Sequence, residues 1–175
     1  MSDAVVGVVM GSDSDLPIMR QAVEALAELE IPAEVRVLSA HRTPDLALGY
    51  AREASGRGLR CLIAGAGGAA HLPGVLAAVT SLPVIGVPIS ATPLGGLDAL
   101  LAIAQMPAGV PVATVAVDGA RNAGLLAARI LGASDEVLRQ RIDRFRAQLA
   151  DKVAAKDEKV RGEFADGPKP FGFTT

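Results

Sequence analysis

The residues best suited to chemistry in this chain lie in a short polar stretch, SAHRTP, at residues 39–44. A histidine side chain can give and accept a proton near neutral pH, so His41 is able to move one. Arg42 offers a forked pair of donors that suits a phosphate, and Ser39 adds a hydroxyl group. The alternative is a loop that only starts a helix, with Thr43 as its N-cap and Arg42 in solvent. The crowding of three chemically useful side chains favours a functional role.

A second polar stretch, GSDSD, occupies residues 11–15. A turn through Gly11 and Ser12 into a helix offers free backbone N–H groups and a hydroxyl group, which suit a phosphate. Asp13 and Asp15 would repel a phosphate, but carboxylates accept hydrogen bonds from ribose hydroxyls. The simpler interpretation is that these serines and aspartates only cap the helix. Taken alone, the stretch favours capping, because helix caps of this kind are common.

The third stretch, GAGGAAHLPG at residues 65–74, carries few functional side chains. It partly matches the dinucleotide fingerprint through Gly65, Gly67 and Ala70, but no acidic residue ends the next strand, where a ribose would require one. A loop of this composition lets a ligand approach the backbone closely, between small apolar walls. For His71, a structural role has at least as much support as a catalytic one.

Hydrophobic periodicity predicts the elements that position these loops. Short apolar runs alternate with segments of helical apolar spacing, which predicts strands alternating with helices. The predicted strands are residues 5–10, 33–38, 59–64, 83–88 and 111–117, and the predicted helices are residues 18–29, 44–55, 72–80, 97–105, 121–131 and 134–155. The polar, Gly/Pro-punctuated residues 156–175 predict an extended or loosely ordered C-terminal tail.

This alternation predicts a single domain, residues 1–155, with a five-stranded parallel sheet between two layers of helices. The natural candidate is an α/β fold of the flavodoxin-like type, a three-layer α/β/α sandwich. Such folds bind ligands outside the carboxyl ends of the strands, where the strand order reverses. All three polar stretches follow predicted strands, so we expect them to meet at this edge of the sheet.

Composition and charge exclude several classes of function. A net charge of −2 predicts no nucleic-acid surface. The apolar runs end before membrane-spanning length, and the N-terminal stretch lacks the basic segment of a signal peptide, so a cytoplasmic protein without a membrane partner is expected. Cys61 is the single cysteine, so no internal disulfide is expected, and it is expected to be an inert core thiol. With one cysteine and two well-separated histidines, no metal site is expected. The apolar surplus suggests contact between subunits.

Together these stretches resemble the N5-carboxyaminoimidazole ribonucleotide mutase family of purine biosynthesis. The resemblance rests on GSDSD, SAHRTP and AGAGGAAHLPG in this order, followed by PVIGVP, GLDALLAIAQMPAGVPVATVAV and NAGLLAARIL. It implies a flavodoxin-like homo-octamer that works without metal, nucleotide or biotin. The implied partner is a small-molecule ribonucleotide, a phosphorylated ribose with an aminoimidazole, whose carboxylate moves from the exocyclic nitrogen to ring carbon C4.

The resemblance also implies roles for individual residues. His41 would be the acid/base residue. Ser12, Ser39 and Arg42 would hold the phosphate, and Asp15 would bind the ribose hydroxyls. The small-residue loop would wall the pocket around the imidazole and the carboxylate, through Gly67, Gly68, Ala69 and His71.

Two features place the chain within the wider family. The related direct carboxylases, which join CO2 to aminoimidazole ribonucleotide, tend to have His-Lys in the second stretch and to lack GGAAH in the third. Arg42 and His71 therefore resemble the mutase pattern. One departure is the stretch 117–124, which looks shorter than in many mutases and has Asp118 where glycine is common. It concerns the local geometry beside the fifth strand rather than the chemistry.

Two other classes of function stay open. One is a non-catalytic flavodoxin-like protein that binds a flavin or a sugar phosphate. The chain has no tryptophan, and its single tyrosine, Tyr50, lies in a predicted helix, which disfavours a flavin because the ring usually needs an aromatic or large apolar platform. The other class is a purely structural oligomer, which leaves the clustering of His41, Arg42, Asp15 and Ser12 unexplained.

Overall fold

The computed structural model describes residues 4–164. Its strands are β1 (Val6–Met10), β2 (Ala33–Val37), β3 (Cys61–Gly67), β4 (Val84–Ile89) and β5 (Ala113–Thr114). All neighbouring strands pair in parallel, in the order β2-β1-β3-β4-β5. This is the strand order of the flavodoxin-like fold, so the predicted fold class is confirmed.

Six helices cover the two faces of the sheet in the described residues. They are α1 (Leu16–Glu28), α2 (Pro44–Glu53), α3 (Leu72–Ala77), α4 (Leu97–Ala104), α5 (Ala120–Gly132) and α6 (Glu136–Phe164). Helices α1 and α5 and the start of α6 pack on one face, and α2, α3 and α4 pack on the other. The predicted three-layer sandwich follows from this division.

Strand β1 shows why the central strands are apolar at consecutive positions. Val6, Val8 and Met10 belong to the core beneath α1 and α5, whereas Val9 belongs to the core beneath α2 and α3. All four side chains are buried. A strand covered by helices on both faces has no solvent side, so the alternation of polar and apolar residues disappears.

Helices α1 and α5 approach each other closely through small residues. A methyl group added at Gly124 would lie 2.6 Å from the carbonyl oxygen of Ala22 and 3.0 Å from the Cβ of Ala25. Both alanines are fully buried. Because α1 begins directly after the first polar stretch, this tight contact fixes the helix that follows residues 11–15.

The predicted bounds of several elements are wrong, and β5 and α6 differ most in length. Strand β5 is only two residues long, Ala113–Thr114, against the predicted 111–117. It is an edge strand whose residues pair with β4 alone, Ala113 with Ile85 and Thr114 with Gly86. Helix α6 continues to Phe164, past the predicted end at residue 155.

The continuation of α6 has a local cause. Residues 156–161 are mostly good helix formers, and Asp157 forms an ion pair with Arg161 one turn later, at 3.9 Å. The predicted tail is therefore helical over residues 156–164, and its remainder, residues 165–175, lies outside the described residues. Within residues 4–164, no helix combines the length and the apolar character needed to cross a membrane.

Candidate active site

A pocket of about 360 Å³ opens at the carboxyl edge of the sheet. The loops after β1, β2 and β3 meet there, as the positions of the three polar stretches predicted. Backbone hydrogen bonds join these strand ends, from the Gly11 N–H to the Gly65 carbonyl and from the Leu38 N–H to the Met10 carbonyl. The lining residues are Gly11, Ser12, Ser14, Asp15, Ser39, Ala40, His41, Arg42, Ala66, Gly67, Ala69, Leu72 and Ala91.

The pocket has two chemically different halves. One, which we call the polar half, contains five of the side chains singled out in the sequence: Ser12, Asp15, Ser39, His41 and Arg42. The other, the small-residue half, is formed by Ala66, Gly67, Ala69 and Ala91. A ligand that fills the pocket would therefore meet charge and hydroxyl groups at one end and backbone and methyl groups at the other.

Arg42 is held in place within the polar half without an acidic partner. Its Nη2 donates to the carbonyl oxygen of Gly11 at 3.0 Å, and its backbone N–H donates to the Oγ of Ser39 at 3.1 Å. Within residues 4–164 it forms no ion pair. The guanidinium is thus oriented by neutral groups and keeps its positive charge available for an anionic ligand.

The loop that carries His41 is closed by Thr43. Its Oγ1 accepts from the Ser39 N–H at 3.0 Å, and its backbone N–H donates to the Ser39 carbonyl at 2.9 Å. Thr43 occupies the N-cap position of α2, as predicted, but its side chain does not cap the helix. The hydroxyl group closes the loop instead, which holds His41 and Arg42 at the rim of the pocket.

The first polar stretch combines capping with a position in the pocket. Ser12 is the N-cap of a 3-10 turn, Asp13–Asp15, and its Oγ accepts from the Ser14 N–H at 3.3 Å. The Asp15 carboxylate accepts in return from the Ser12 N–H at 3.2 Å, which completes a capping box. The predicted capping role is confirmed, and the same two side chains also line the pocket.

Asp15 is the buried carboxylate of the site, with 7% of its surface exposed. Burial raises its pKa above the usual value, although the hydrogen bonds from Ser12 and Ser14 act in the opposite direction. An anion in this position gains from any further donor. A ligand that brings hydroxyl groups to Asp15 would supply such donors.

The two histidines, distant in the sequence, are in contact. Nε2 of His41 lies 2.8 Å from Nδ1 of His71, and the rings meet edge to face at an interplanar angle of 80°. For a hydrogen bond at this distance, one ring nitrogen carries the hydrogen and the other accepts it. His41 lines the pocket, whereas His71 is an exposed residue at the start of α3 that is not part of the lining.

The small-residue half depends on glycine at position 67. A methyl group there would lie 2.5 Å from the Cβ of Ala91 and 2.9 Å from the carbonyl oxygen of Ile89. Gly68 turns the chain at a φ of +60°, a conformation that favours glycine, and does not line the pocket. The third stretch therefore forms the wall through Gly67 and Ala69, with Gly68 as its turn.

Sequence reasoning did not single out several lining residues, of which Ala91 is the most informative. It follows β4, so it enters the pocket from the same edge as the other loops. Its side chain carries no functional group, and only its place after a predicted strand could have pointed to it. Ser14, Ala40, Ala66 and Leu72 were missed for similar reasons.

Other reactive groups lie apart from this pocket. Cys61 is buried within β3, and burial raises the pKa of its thiol to about 12, which confirms the expected inert core thiol. Among residues 4–164, no three histidine, cysteine, aspartate or glutamate side chains are grouped to hold a metal ion.

Comparison with known proteins identifies the family. A family model described as AIRC, AIR carboxylase, matches residues 5–152. The chain belongs to this family. Two curated members named N5-carboxyaminoimidazole ribonucleotide mutase, from Mycobacterium tuberculosis and Pyrococcus horikoshii, are 65% and 53% identical to it over 156 residues. These matches cover 89% of this chain and 90% and 88% of the respective relatives.

The wider family includes other names and solved structures. A Vigna aconitifolia protein named phosphoribosylaminoimidazole carboxylase, chloroplastic, is 53% identical over 156 residues, which is 28% of its length. A crystal structure of PurE from Treponema denticola matches with a TM-score of 0.82 at 26% identity, and the match covers 89% of this chain and 98% of that one. The family fold is thus the flavodoxin-like fold described above.

Proposed function

We propose that this chain is an isomerase of purine biosynthesis, an N5-carboxyaminoimidazole ribonucleotide mutase. It moves a carboxylate from the exocyclic nitrogen of the substrate (N5-CAIR) to ring carbon C4, which gives CAIR. The relatives from M. tuberculosis, P. horikoshii and Thermotoga maritima that carry this name are 65%, 53% and 52% identical to the chain. The observation that carries the proposal is the pocket itself, where His41 stands among anion-binding side chains and opposite a wall of small residues.

The polar half suits the ribose phosphate. Arg42 has no acidic partner among residues 4–164, and the hydroxyl groups of Ser12 and Ser39 lie in the same lining. Together they would hold the phosphate by charge-assisted hydrogen bonds. The buried Asp15 carboxylate would accept hydrogen bonds from the ribose hydroxyls, and these donors offset part of the cost of its burial.

The reaction then needs one proton donor that becomes an acceptor. His41 protonates the exocyclic nitrogen of the carbamate, the N–C bond breaks, and its electrons stay on nitrogen while CO2 leaves. Ring carbon C4, which is electron-rich, attacks the carbon of CO2 and forms the new C–C bond. His41 removes the proton from C4, which restores the aromatic ring and the initial protonation state of the histidine. A positioned acid/base contributes about 10²–10⁴ in rate.

The small-residue half suits the CO2 that exists between the two steps. Gly67, Ala69 and Ala91 present no nucleophile that could trap CO2. Their small size leaves room for an imidazole ring to lie close to the wall, so the freed CO2 stays near C4. Such proximity lowers the barrier by several kcal/mol, of the order found for well-oriented intramolecular reactions.

His71 acts on the reaction through His41. Its hydrogen bond at 2.8 Å fixes the orientation of the His41 ring, and the wall residues Gly67 and Ala69 lie shortly before it in the chain. We therefore assign His71 a positioning role, together with Gly67, Gly68 and Ala69, which shape the surrounding loop. This assignment accounts for a second histidine that does not itself line the pocket.

The octamer implied by the family resemblance is part of the proposal. Helix α4 and the loop before it expose Leu94, Leu97 and Leu101, and the edge strand β2 exposes Val35 and Val37. Apolar surface of this kind is typical of contacts between subunits. Light scattering coupled to size exclusion would give the mass of the assembly, and a monomeric mass would contradict the octamer. The cytoplasmic location stays a prediction.

The test of the activity is a paired assay on the purified protein without ATP. One reaction contains N5-CAIR, and the other contains aminoimidazole ribonucleotide (AIR) with bicarbonate. We expect rapid formation of CAIR in the first reaction only. Because N5-CAIR decomposes spontaneously to AIR, the assay should follow CAIR directly at its own absorbance, with a protein-free control.

The second reaction tests the other candidate activity, direct carboxylation of AIR. The family description and the name of the V. aconitifolia relative support this candidate. Efficient CAIR formation from AIR and bicarbonate would assign the chain to the carboxylases. The absence of product in both reactions would contradict both activities and would favour a non-catalytic binding protein.

A further inference from the structure

The loop after β5 contains a residue that the proposed chemistry does not use. Asp118 is half-buried and adopts a φ of +56°, in the left-handed region that favours glycine. Its carboxylate accepts two hydrogen bonds from Ser90, one from the backbone N–H at 3.0 Å and one from Oγ at 2.5 Å. Asp118 thus combines a strained backbone conformation with two hydrogen bonds to Ser90, the residue after β4.

The same loop also holds the other end of the segment that follows β4. A methyl group added at Gly96 would lie 2.5 Å from the Cγ1 of Val117, so the Val117 side chain rests directly against this glycine. The Asp118 N–H donates to the carbonyl of Pro88 at 2.8 Å. Residues 90–96 are therefore held at both ends by Val117 and Asp118.

Residues 90–96 in turn support the small-residue half of the pocket. Ala91 lines the pocket and lies against Gly67, with no space for a methyl group between them. The Cγ2 of Thr92 would contact a methyl group added at Gly68, at 3.6 Å. A shift of this segment would open the wall beside Gly67 and Gly68.

We propose that the Ser90–Asp118 contact is a latch that positions Ala91 against Gly67 and so keeps CO2 in the pocket between decarboxylation and attack by C4. Asp118 is a positioning residue, because it acts through Ser90 and Ala91 and does not line the pocket. The inference rests on the proposed mutase activity. It concerns how often the freed CO2 escapes, which leaves AIR, and not how the substrate phosphate is bound.

Substitution of Asp118 by glycine tests the latch with little cost to folding. Glycine adopts a positive φ without strain, so D118G removes the carboxylate and relieves the backbone at the same time. The readout is the ratio of AIR to CAIR formed from N5-CAIR, corrected for the spontaneous reaction. We expect this ratio to rise by about tenfold, the scale of losing hydrogen bonds to a charged group. KM should stay near that of the unchanged protein, since the polar half is intact.

Labelled bicarbonate gives a second readout of the same event. When CO2 escapes and CO2 from solution takes its place, carbon from ¹³C-bicarbonate enters CAIR. D118G should incorporate more label per CAIR formed than the unchanged protein does. D118N should behave more like the unchanged protein, because asparagine tolerates a positive φ and still accepts a hydrogen bond from the Ser90 N–H.

Glu30 provides a matched control. It is the other non-glycine residue of the described chain with a positive φ, +57°, and its carboxylate pairs with Arg141 at 3.0 Å, away from the pocket. E30G likewise replaces a carboxylate residue at a positive φ by glycine, and it should leave the AIR-to-CAIR ratio and the labelling unchanged. If D118G and the unchanged protein both form CAIR normally and give the same ratio of AIR to CAIR, the latch is overturned and the mutase activity stands. Absence of CAIR from the unchanged protein would overturn the activity on which the latch rests.

Discussion

The two halves of the pocket are built by opposite means. The polar half is ordered by hydrogen bonds: the Arg42 guanidinium is held by the Gly11 carbonyl, and Ser39 is held by Thr43. The small-residue half is ordered by close contact, with no space for a methyl group between Gly67 and Ala91. The polar half contributes functional groups, and the small-residue half contributes a close-fitting surface.

This difference predicts which substitutions damage each half. In the polar half, function is lost by removing atoms, because a donor or acceptor disappears while the backbone can stay where it is. In the small-residue half, function is lost by adding atoms, because no space is left for them. The predictions below test this contrast, from the largest expected effect to the smallest.

Removal of the His41 imidazole should have the largest effect. H41N should lower kcat by about 10²–10⁴, the contribution of a positioned acid/base, while the fold and nucleotide binding persist. The measurements are CAIR formation and the rise in melting temperature when the ribonucleotide binds. An H41N variant with near-normal turnover would remove His41 from the mechanism. Loss of both turnover and the thermal shift would mean that His41 serves binding as well.

Addition of one methyl group should damage the small-residue half by up to about 10² in kcat, the scale of a displacement of about 1 Å at a reacting centre. In G67A the new Cβ would lie 2.5 Å from Ala91 and 2.9 Å from the Ile89 carbonyl oxygen, so the wall must move. G49A is the matched control, because a methyl group on Gly49 meets nothing within 4 Å. Equal kinetics in the two variants would show that the wall does not need its present shape.

Removal of the Arg42 guanidinium should affect binding more than turnover. R42A should raise KM by about 10–100-fold, the loss expected for charge-assisted hydrogen bonds, with a smaller change in kcat. R52A, in the last turn of α2 and outside the pocket, is the matched control. The increase in KM should shrink at high salt, because salt already weakens the contact in the unchanged protein. An unchanged KM would mean that another group holds the phosphate.

The same contrast explains which parts of the molecule the sequence predicted. The side chains of the polar half have recognisable chemistry, and each follows an apolar run, so their types and their common edge were both predicted. Ala91 has neither signal, because a methyl group is as common in a core as in a binding site. The contact between His41 and His71 needed three-dimensional coordinates, since the topology places their loops after β2 and β3, on either side of β1, but does not fix two rings at 2.8 Å.

The fold was more predictable than its boundaries. The central strands β1, β3 and β4 are buried on both faces and leave a strong apolar pattern, whereas the edge strand β2 is partly exposed and was found by the alternation of its residues. The ends of β5 and α6 depend on weaker determinants. Strand β5 pairs with β4 at Ala113 and Thr114, a ladder too short to leave its own apolar pattern. The propensity of polar helix formers carries α6 on to Phe164 although that part of the helix is exposed. Periodicity of apolar residues contains little information on either.

Asp15 provides the smallest and most diagnostic test, because substitution should change binding and stability in opposite directions. Burial raises the pKa of this carboxyl group, so the folded protein binds the proton more tightly than the unfolded chain does. The contribution of Asp15 to the free energy of unfolding therefore falls as the pH rises from the unfolded-state pKa to the folded-state pKa. Above the folded-state pKa, the full cost of burying the charged carboxylate is present. D15N removes that cost and retains an acceptor for the Ser12 N–H.

We accordingly expect D15N to melt at or above the temperature of the unchanged protein at neutral pH, with the difference vanishing below the unfolded-state pKa near 3.8. Its KM should rise by about fivefold, since a neutral amide is a weaker acceptor for the ribose hydroxyls. D13N, at the exposed neighbour within the same turn, should change neither quantity appreciably. A lower melting temperature for D15N at neutral pH would mean that the capping box outweighs the cost of burial. The polar half would then resemble the small-residue half, as a region kept for its structure as much as for its chemistry.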